Sequence, residues 1–167
     1  MTETTGKLTT ETTTGTTTGT THGTTGPARI GVWPTLVYHD GPGALKFLTE
    51  GLGFTLVASY PGEAEGSIAH AELSWPTGGG VMVSSSDRGS GNEFDQLADQ
   101  LTSVYLVHDD PDGLLPRATA AGASIVRGLR DEDYGSRGFT VADPEGNFWS
   151  VGTYGGEIDS SSTGGAA

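Results

Sequence analysis

Two side chains capable of acid–base chemistry stand two residues apart, His70 and Glu72, in the stretch Ile68–Trp75. Apolar and polar residues alternate there, as expected of a strand with one buried face. Because residues i and i+2 of a strand share a face, we expect His70 and Glu72 to lie side by side on the polar face. Glu72 could then bind a cation or act as a general base tuned by His70. The alternative is a solvated pair at the outer edge of a sheet.

The other polar candidates favour structural roles. His39 and His108 occur in similar turns at two places, which favours a role in the turn over catalysis. Arg137 follows the acidic run at 131–133, which favours an ion pair that orders the loop over substrate binding. The Gly78–Gly80 run lacks the Lys and Ser/Thr of a phosphate-binding loop and is predicted to be a hairpin turn.

The sequence contains an internal repeat of the elements that position these residues. An offset of 69 places His39 over His108 and Gly53 over Gly122. Each copy then reads as a strand, a turn, a helix, a glycine that favours positive φ, and a second strand. The remaining two strands of each copy match at an offset of 68. We therefore predict a βαβββ unit in both halves.

Local signals mark both predicted helices. Asp40 or Gly41 can begin the first helix, and Asp110 is a good N-cap followed by Pro111 at the first helical position. Apolar residues then recur at helical spacing, at Ala44, Leu45, Leu48 and Leu52 and at Leu114, Leu115, Ala118 and Ala121. A short helix is predicted around 94–101, between the two copies.

The repeat defines one domain at residues 27–154, with modules at 30–84 and 102–154. Residues 1–26 are largely Thr and Gly, and residues 155–167 are Gly, Ser, Thr, Ala and two acids, with Ile158 as the one large apolar residue. Neither end can bury an apolar face, so both are predicted to be disordered tails. An O-glycosylated first tail is the alternative, and it conflicts with the missing export signal.

Composition excludes several classes of protein. The net charge of −13 disfavours nucleic acids and anionic membranes as partners. The absence of Cys excludes a disulfide scaffold, a thiolate metal site and a cysteine nucleophile. No apolar run approaches the roughly 18–20 residues that span a bilayer. We expect a cytoplasmic protein.

The duplicated unit, together with Asp143-Pro144-Glu145-Gly146-Asn147 in the last hairpin, resembles one family. It is similar to the vicinal oxygen chelate superfamily of glyoxalases, bleomycin-resistance proteins and extradiol dioxygenases. The resemblance covers residues 30–154, and the segment 134–139 is also similar to glyoxalase-like members. It implies an α+β fold in which two tandem βαβββ modules form a curved mixed-sheet cup. It also implies a homodimer, with the halves paired within a chain or completed across the dimer.

The resemblance further implies where a metal would be held. Enzymes of this superfamily usually place a divalent metal in the cup, bound by His, Gln or Glu on the first and last strands of each module. These positions fall on Trp33 (or Pro34), Met82, Ser103 (or Thr102) and Ser150. None is a good ligand for such a cation. We therefore expect no metal at the usual site and no cofactor.

Alternation along the strands predicts an aromatic and apolar cup with a few polar groups. The candidate ligand-binding residues are Trp33, Thr35, His70, Glu72, Met82, Ser103, Tyr105, Thr140 and Ser150. Trp33 and Tyr105 could stack on a flat ligand, and core packing is the alternative for both. Trp149 alternates away from Ser150 and is predicted to be core.

Two functions fit this sequence. The first is a metal-free protein that binds a small molecule, as implied by the bleomycin-resistance branch, in which acidic dimers trap a basic aromatic drug unchanged. The negative charge agrees with a cationic ligand. The second is a glyoxalase-like lyase or isomerase, or a dioxygenase-type enzyme, that uses a shifted metal site or His70 and Glu72. The sequence favours the first.

Overall fold

The computed structural model describes residues 31–86 and 94–157. The predicted tail at 1–26 and most of the predicted tail at 155–167 lie outside these ranges. Within the described residues no helix has both the length and the apolar character needed to cross a membrane.

The described chain folds as two modules of the same design. The first contains β1 (Thr35–Tyr38), α1 (Gly41–Lys46) continued by a π-helical turn (Phe47–Leu52), β2 (Thr55–Pro61), β3 (Ile68–Ser74) and β4 (Gly80–Ser85). The second contains β5 (Ser103–Val107), α2 (Pro111–Ala120), β6 (Ser124–Asp131), β7 (Arg137–Ala142) and β8 (Phe148–Gly152). A short 3₁₀ helix (Asp95–Asp99) lies between them, within the segment where a helix was predicted.

Each module forms its own four-stranded mixed sheet. The strand orders are β1-β4-β3-β2 and β5-β8-β7-β6, and only the β1–β4 and β5–β8 pairs are parallel. The predicted α+β fold with tandem βαβββ modules is therefore confirmed. No strand of one sheet pairs with a strand of the other among the described residues.

The helices begin and end where the sequence predicts. The carboxylate of Asp40 accepts a hydrogen bond from the Gly43 amide at 2.9 Å, and Asp110 caps α2 in the same way. Gly53 and Gly122 follow the helices with φ of 96° and 105°, which residues with a Cβ rarely adopt.

The repeat alignment predicted for the first strand and helix is wrong by one residue. The N-caps Asp40 and Asp110 are 70 residues apart, and so are Thr49 and Thr119, whose hydroxyls each donate to the carbonyl four residues earlier. The buried partner of Leu114 is therefore Ala44 rather than the predicted Leu45. The offset returns to 69 at the glycines after the helices, because the π-helical turn contains one residue more than the end of α2.

One apolar core joins the two modules. The inner residues of both sheets and both helices belong to a single buried cluster, and Trp149 is 0% exposed, as predicted. Ala71 and Leu73 are buried as expected. Ala69 is exposed instead, because it lies where the pairing of β3 with β2 becomes irregular. Since both sheets turn one face toward this shared core, their opposite faces point away from it.

The helices form part of the contact between the modules. The Arg117 Nε of α2 donates to the carbonyl of Gly51 at 3.1 Å. A Cβ at Gly51 would lie 2.8 Å from the Cβ of Ala121, so the glycine permits a close approach of the two helices.

The β7–β8 turn docks on the other module through its acidic residues. Asp143 is 4% exposed and accepts from the Tyr38 hydroxyl at 2.8 Å and from the Trp149 indole at 3.1 Å. The carboxylate of Glu145 accepts from the backbone amides of His39 at 2.9 Å and Asp40 at 2.7 Å. This motif therefore joins the modules.

The β3–β4 turn makes the corresponding contact on the other side. Trp75 stands at the repeat position of Asp143, and its indole donates to the carbonyl of Val107 at 2.9 Å. Its ring also contacts the ring of His108, at 5.9 Å between centroids. The predicted hairpin turn is confirmed, since the Trp75 amide donates to the carbonyl of Gly79.

Candidate ligand-binding faces

The face of the first sheet that points away from the core, here called the first open face, carries four of the predicted site residues. Thr35, Met82 and Glu72 align across β1, β4 and β3. His70 lies two residues before Glu72 on the same face of β3. A depression of about 690 Å³ lies at this sheet. Its walls include Thr35, Val37, Glu63, His70, Ser84, Phe94 and Asp95.

His70 and Glu72 lie side by side, as predicted. The His70 Nε2 is 3.2 Å from a Glu72 carboxylate oxygen, and the two side chains are 40% and 38% exposed. The ring of Tyr60 stacks on the imidazole at 6.3 Å between centroids. Tyr60 was not among the predicted site residues, although antiparallel pairing of β2 with β3 places it opposite His70. His70 lines the depression, and Tyr60 and Glu72 lie beside it on the same sheet.

The corresponding face of the second sheet, the second open face, carries the other candidates. Tyr105, Ser150 and Thr140 align across β5, β8 and β7, and Ser103 precedes Tyr105 on the same side. The hydroxyls of Thr140 and Ser150 are 3.0 Å apart, so one donates to the other. Arg127 of β6 completes this row opposite Thr140.

Aromatic rings border the second open face. Tyr105 is 47% exposed, and its hydroxyl donates to the carbonyl of Tyr154 at 3.0 Å. The rings of Tyr154 and Tyr134 meet edge to face at 5.7 Å. Tyr105 is therefore an exposed ring rather than a core residue. Tyr134 and Tyr154 were not among the predicted site residues, because no local sequence pattern indicates that this turn and this terminal segment lie together.

Ion pairs hold the rim of the second open face. Glu132 accepts hydrogen bonds from Arg127 at 2.6 Å and from Arg130 at 2.9 Å. The bond from Arg130 is the main reason that the pKa of the Glu132 carboxyl is lowered. Arg137 binds Asp131, within the acidic run as predicted, and also holds Asp112 through two bonds. That bonding lowers the pKa of Asp112.

The two turn histidines have contacts that agree with structural roles. The Nδ1 of His108 accepts a hydrogen bond from the backbone amide of Asp110 at 3.0 Å. The His39 ring lies 3.2 Å from a carboxylate oxygen of Asp99. The first contact lies within the turn between β5 and α2, and the second joins the turn before α1 to the 3₁₀ helix.

Trp33 lies apart from the other candidates. Its half-buried ring packs over Gly80 at the start of β4, where a Cβ would collide with it. The ring is not among the walls of the first-sheet depression.

The four positions of the usual metal site do not fit a divalent metal. They offer an indole, a thioether and two hydroxyls, from Trp33, Met82, Ser103 and Ser150, and these are poor donors for such cations. Across residues 31–86 and 94–157, no three His, Cys, Asp or Glu side chains gather closely enough to hold a metal ion.

Comparisons with known proteins agree with this architecture. The family model described as the Glyoxalase/Bleomycin resistance protein/Dioxygenase superfamily matches residues 32–151. An uncharacterized protein of Mycobacterium tuberculosis strain H37Rv, Rv0887c, is 30% identical over 124 residues, which cover 71% of this chain and 71% of that protein.

Solved structures show the same relationship. TioX from Micromonospora sp. ML1 is 31% identical, with a TM-score of 0.57, and the match covers 73% of this chain and 98% of TioX. A glyoxalase/bleomycin resistance protein from Streptomyces sp. CB03234 shares the fold at 21% identity and a TM-score of 0.54, over 70% of this chain and 94% of that one. The chain therefore belongs to the glyoxalase/bleomycin resistance protein/dioxygenase superfamily.

Proposed function

We propose that this chain binds a small molecule on its open faces without the divalent metal of the superfamily's enzymes. The observation that carries the proposal is the make-up of these faces. Exposed rings and hydroxyls stand where a ligand would lie, and the four metal positions hold residues that do not ligate. A few polar groups on an aromatic surface are typical of small-molecule sites.

The same proposal includes a homodimer that completes the binding cup. The two open faces belong to separate sheets and point away from the shared core, so one chain presents two half-cups. A second copy can place its second open face against the first open face of its partner. In a dimer with twofold symmetry this contact between a first and a second open face occurs twice, so the dimer closes two cups.

A cationic aromatic ligand is the finer part of the proposal. Glu63 and Asp95 line the depression at the first open face, and Glu72 lies beside His70 on the same sheet. Together with the net charge of −13, these carboxylates favour a positively charged guest. The exposed rings of Tyr60 and Tyr105 offer surfaces for stacking and for cation–π contact.

Calorimetric titration tests this function most directly. Planar cationic antibiotics and hydrophobic metabolites would be titrated into the full chain, with metal analysis of the same sample. We expect saturable binding, recovery of unchanged ligand and no effect of a chelator. A stoichiometric divalent metal, or no binding in any ligand class, would contradict the proposal.

An enzyme is the second candidate, and the His70–Glu72 pair favours it. A carboxylate 3.2 Å from an imidazole can act as a general base for a substrate held on the first open face. If so, Glu72→Gln abolishes turnover of a glyoxalase-type or isomerase-type substrate while leaving its binding within a few fold. In a binding protein the same variant alters affinity alone.

A further inference from the structure

A second cavity lies where the modules join, away from both open faces. This junction pocket, of about 320 Å³, is bordered by Tyr38, Asp40, Ala44, Phe47, Pro144 and Glu145. Its walls come from α1 and its π-helical turn in one module and from the β7–β8 turn in the other. The volume lies at the low end of ligand pockets, roughly 300–1,000 Å³, and suits a molecule with one ring.

The internal repeat carries larger residues at two of the corresponding positions. At the corresponding junction Trp75 stands in place of Asp143, and Leu114 in place of Ala44. The Trp75 ring packs against both Phe54 and His108 there. The junction pocket therefore lies where this half carries smaller residues than the other, Asp143 for Trp75 and Ala44 for Leu114.

The walls of the junction pocket combine apolar surface with negative charge. Pro144 is exposed, Phe47 and Tyr38 reach the wall with only 2% of their surface, and the carboxylates of Asp40 and Glu145 stand beside them. In the described ranges no Lys, Arg or His side chain forms an ion pair with either carboxylate. Their only hydrogen-bond donors in these ranges are backbone amides, so their charge is not neutralised by a cation.

We propose that the junction pocket binds a small arylalkyl amine. The aromatic ring of the ligand packs against Pro144 and the accessible part of Phe47, and its ammonium group faces Asp40 and Glu145. A carboxylate binds an ammonium through charge-assisted hydrogen bonds, which favours a cation over a neutral ligand of the same shape. This site is distinct from the binding cup, so either proposal can fail without the other.

A nuclear magnetic resonance titration of the full chain tests the site. The probe is 2-phenylethylamine, and 2-phenylethanol is its neutral counterpart. We expect saturable shifts centred on the amides of Gly43 and Ala44, with the alcohol binding about fivefold weaker. Equal affinity for both probes, shifts centred on the open faces, or no saturation up to about 10 mM would overturn the proposal.

The internal repeat supplies a matched pair of variants. Asp40→Asn keeps a good N-cap and removes one charge, so we expect about fivefold weaker binding of the amine. Asp110→Asn makes the same change at the same place in α2 and should leave binding unaltered.

A third variant narrows the cavity itself. Ala44→Leu introduces the residue that α2 carries at the same position, and we expect at least about tenfold weaker binding. An unchanged affinity in a folded Ala44→Leu protein would also overturn the proposal. A far-ultraviolet circular dichroism spectrum and a thermal melt establish that each variant is folded.

Discussion

Asp143 is a buried charged residue whose loss should destabilise this fold strongly. Its buried carboxylate accepts from the side chains of Tyr38 and Trp149 and from the backbone amides of Glu145 and Asn147. Asp143→Ala leaves these buried donors without an acceptor, so we expect a loss of about 3 kcal/mol in the free energy of unfolding. Urea unfolding measures it. Asp133→Ala, at an exposed position of the β6–β7 turn, should change stability little, and equal effects would contradict this account.

Tyr38 should make stability depend on alkaline pH. Burial is the main reason that its pKa is raised well above the ordinary 10.0, and the nearby Asp143 charge adds to the effect. Because the folded state holds this proton more tightly, the stabilisation is complete below about pH 10 and is lost as the pH rises. Near pH 11 the loss is about 1.4 kcal/mol.

Tyr38→Phe removes the group that titrates. Its free energy of unfolding should therefore fall less than that of the wild type between about pH 8 and pH 11. Tyr60→Phe, which removes an exposed hydroxyl, should retain the wild-type dependence. Parallel pH profiles for the wild type and Tyr38→Phe would contradict this role of Tyr38.

At the scale of the elements, the π-helical turn marks a one-residue insertion in the first helix. The turn ends with the Gly53 amide bonded to the carbonyl of Leu48, five residues earlier. Deleting the exposed Glu50 should restore regular α-helical spacing, as in α2. We therefore expect a folded protein with a small loss of melting temperature. Deleting Ala120 from α2 is the matched control and should lower the melting temperature much more. Equal losses of melting temperature by calorimetry would contradict the interpretation that the first helix contains an inserted residue.

The same helix shows how far sequence reasoning reaches. Asp40 and Asp110 mark the helix starts correctly, because an N-cap acts within one turn of helix. The inserted residue escapes detection, because every residue of the π-helical turn is also acceptable in an α-helix and only the hydrogen bonds differ. An alignment that places His39 over His108 and allows no gap therefore shifts the strand and helix before the inserted residue by one residue.

At the scale of the whole molecule, alternation predicted which candidate residues share a face, Trp33 excepted, but could not show which faces meet. Glu72 and Met82 share one open face, and Tyr105 and Ser150 share the other, as expected from the two-residue period of a strand. Whether two sheets close one cup depends on contacts between distant segments. The docking of the β7–β8 turn on β1 and α1 sets that arrangement, and no local pattern encodes it.

Mixing two variants tests whether each cup is shared between copies. Glu72→Ala damages the first open face and Tyr105→Ala the second, so each homodimer should bind the cup ligand weakly. If a cup joins the first face of one chain to the second face of its partner, mixed dimers contain one intact cup. Random exchange of equal amounts then restores about a quarter of the wild-type sites. Light scattering should show dimers of twice 17.1 kDa. If both faces of a cup came from one chain, every cup in the mixture would carry one substitution, and titration would find no restored sites.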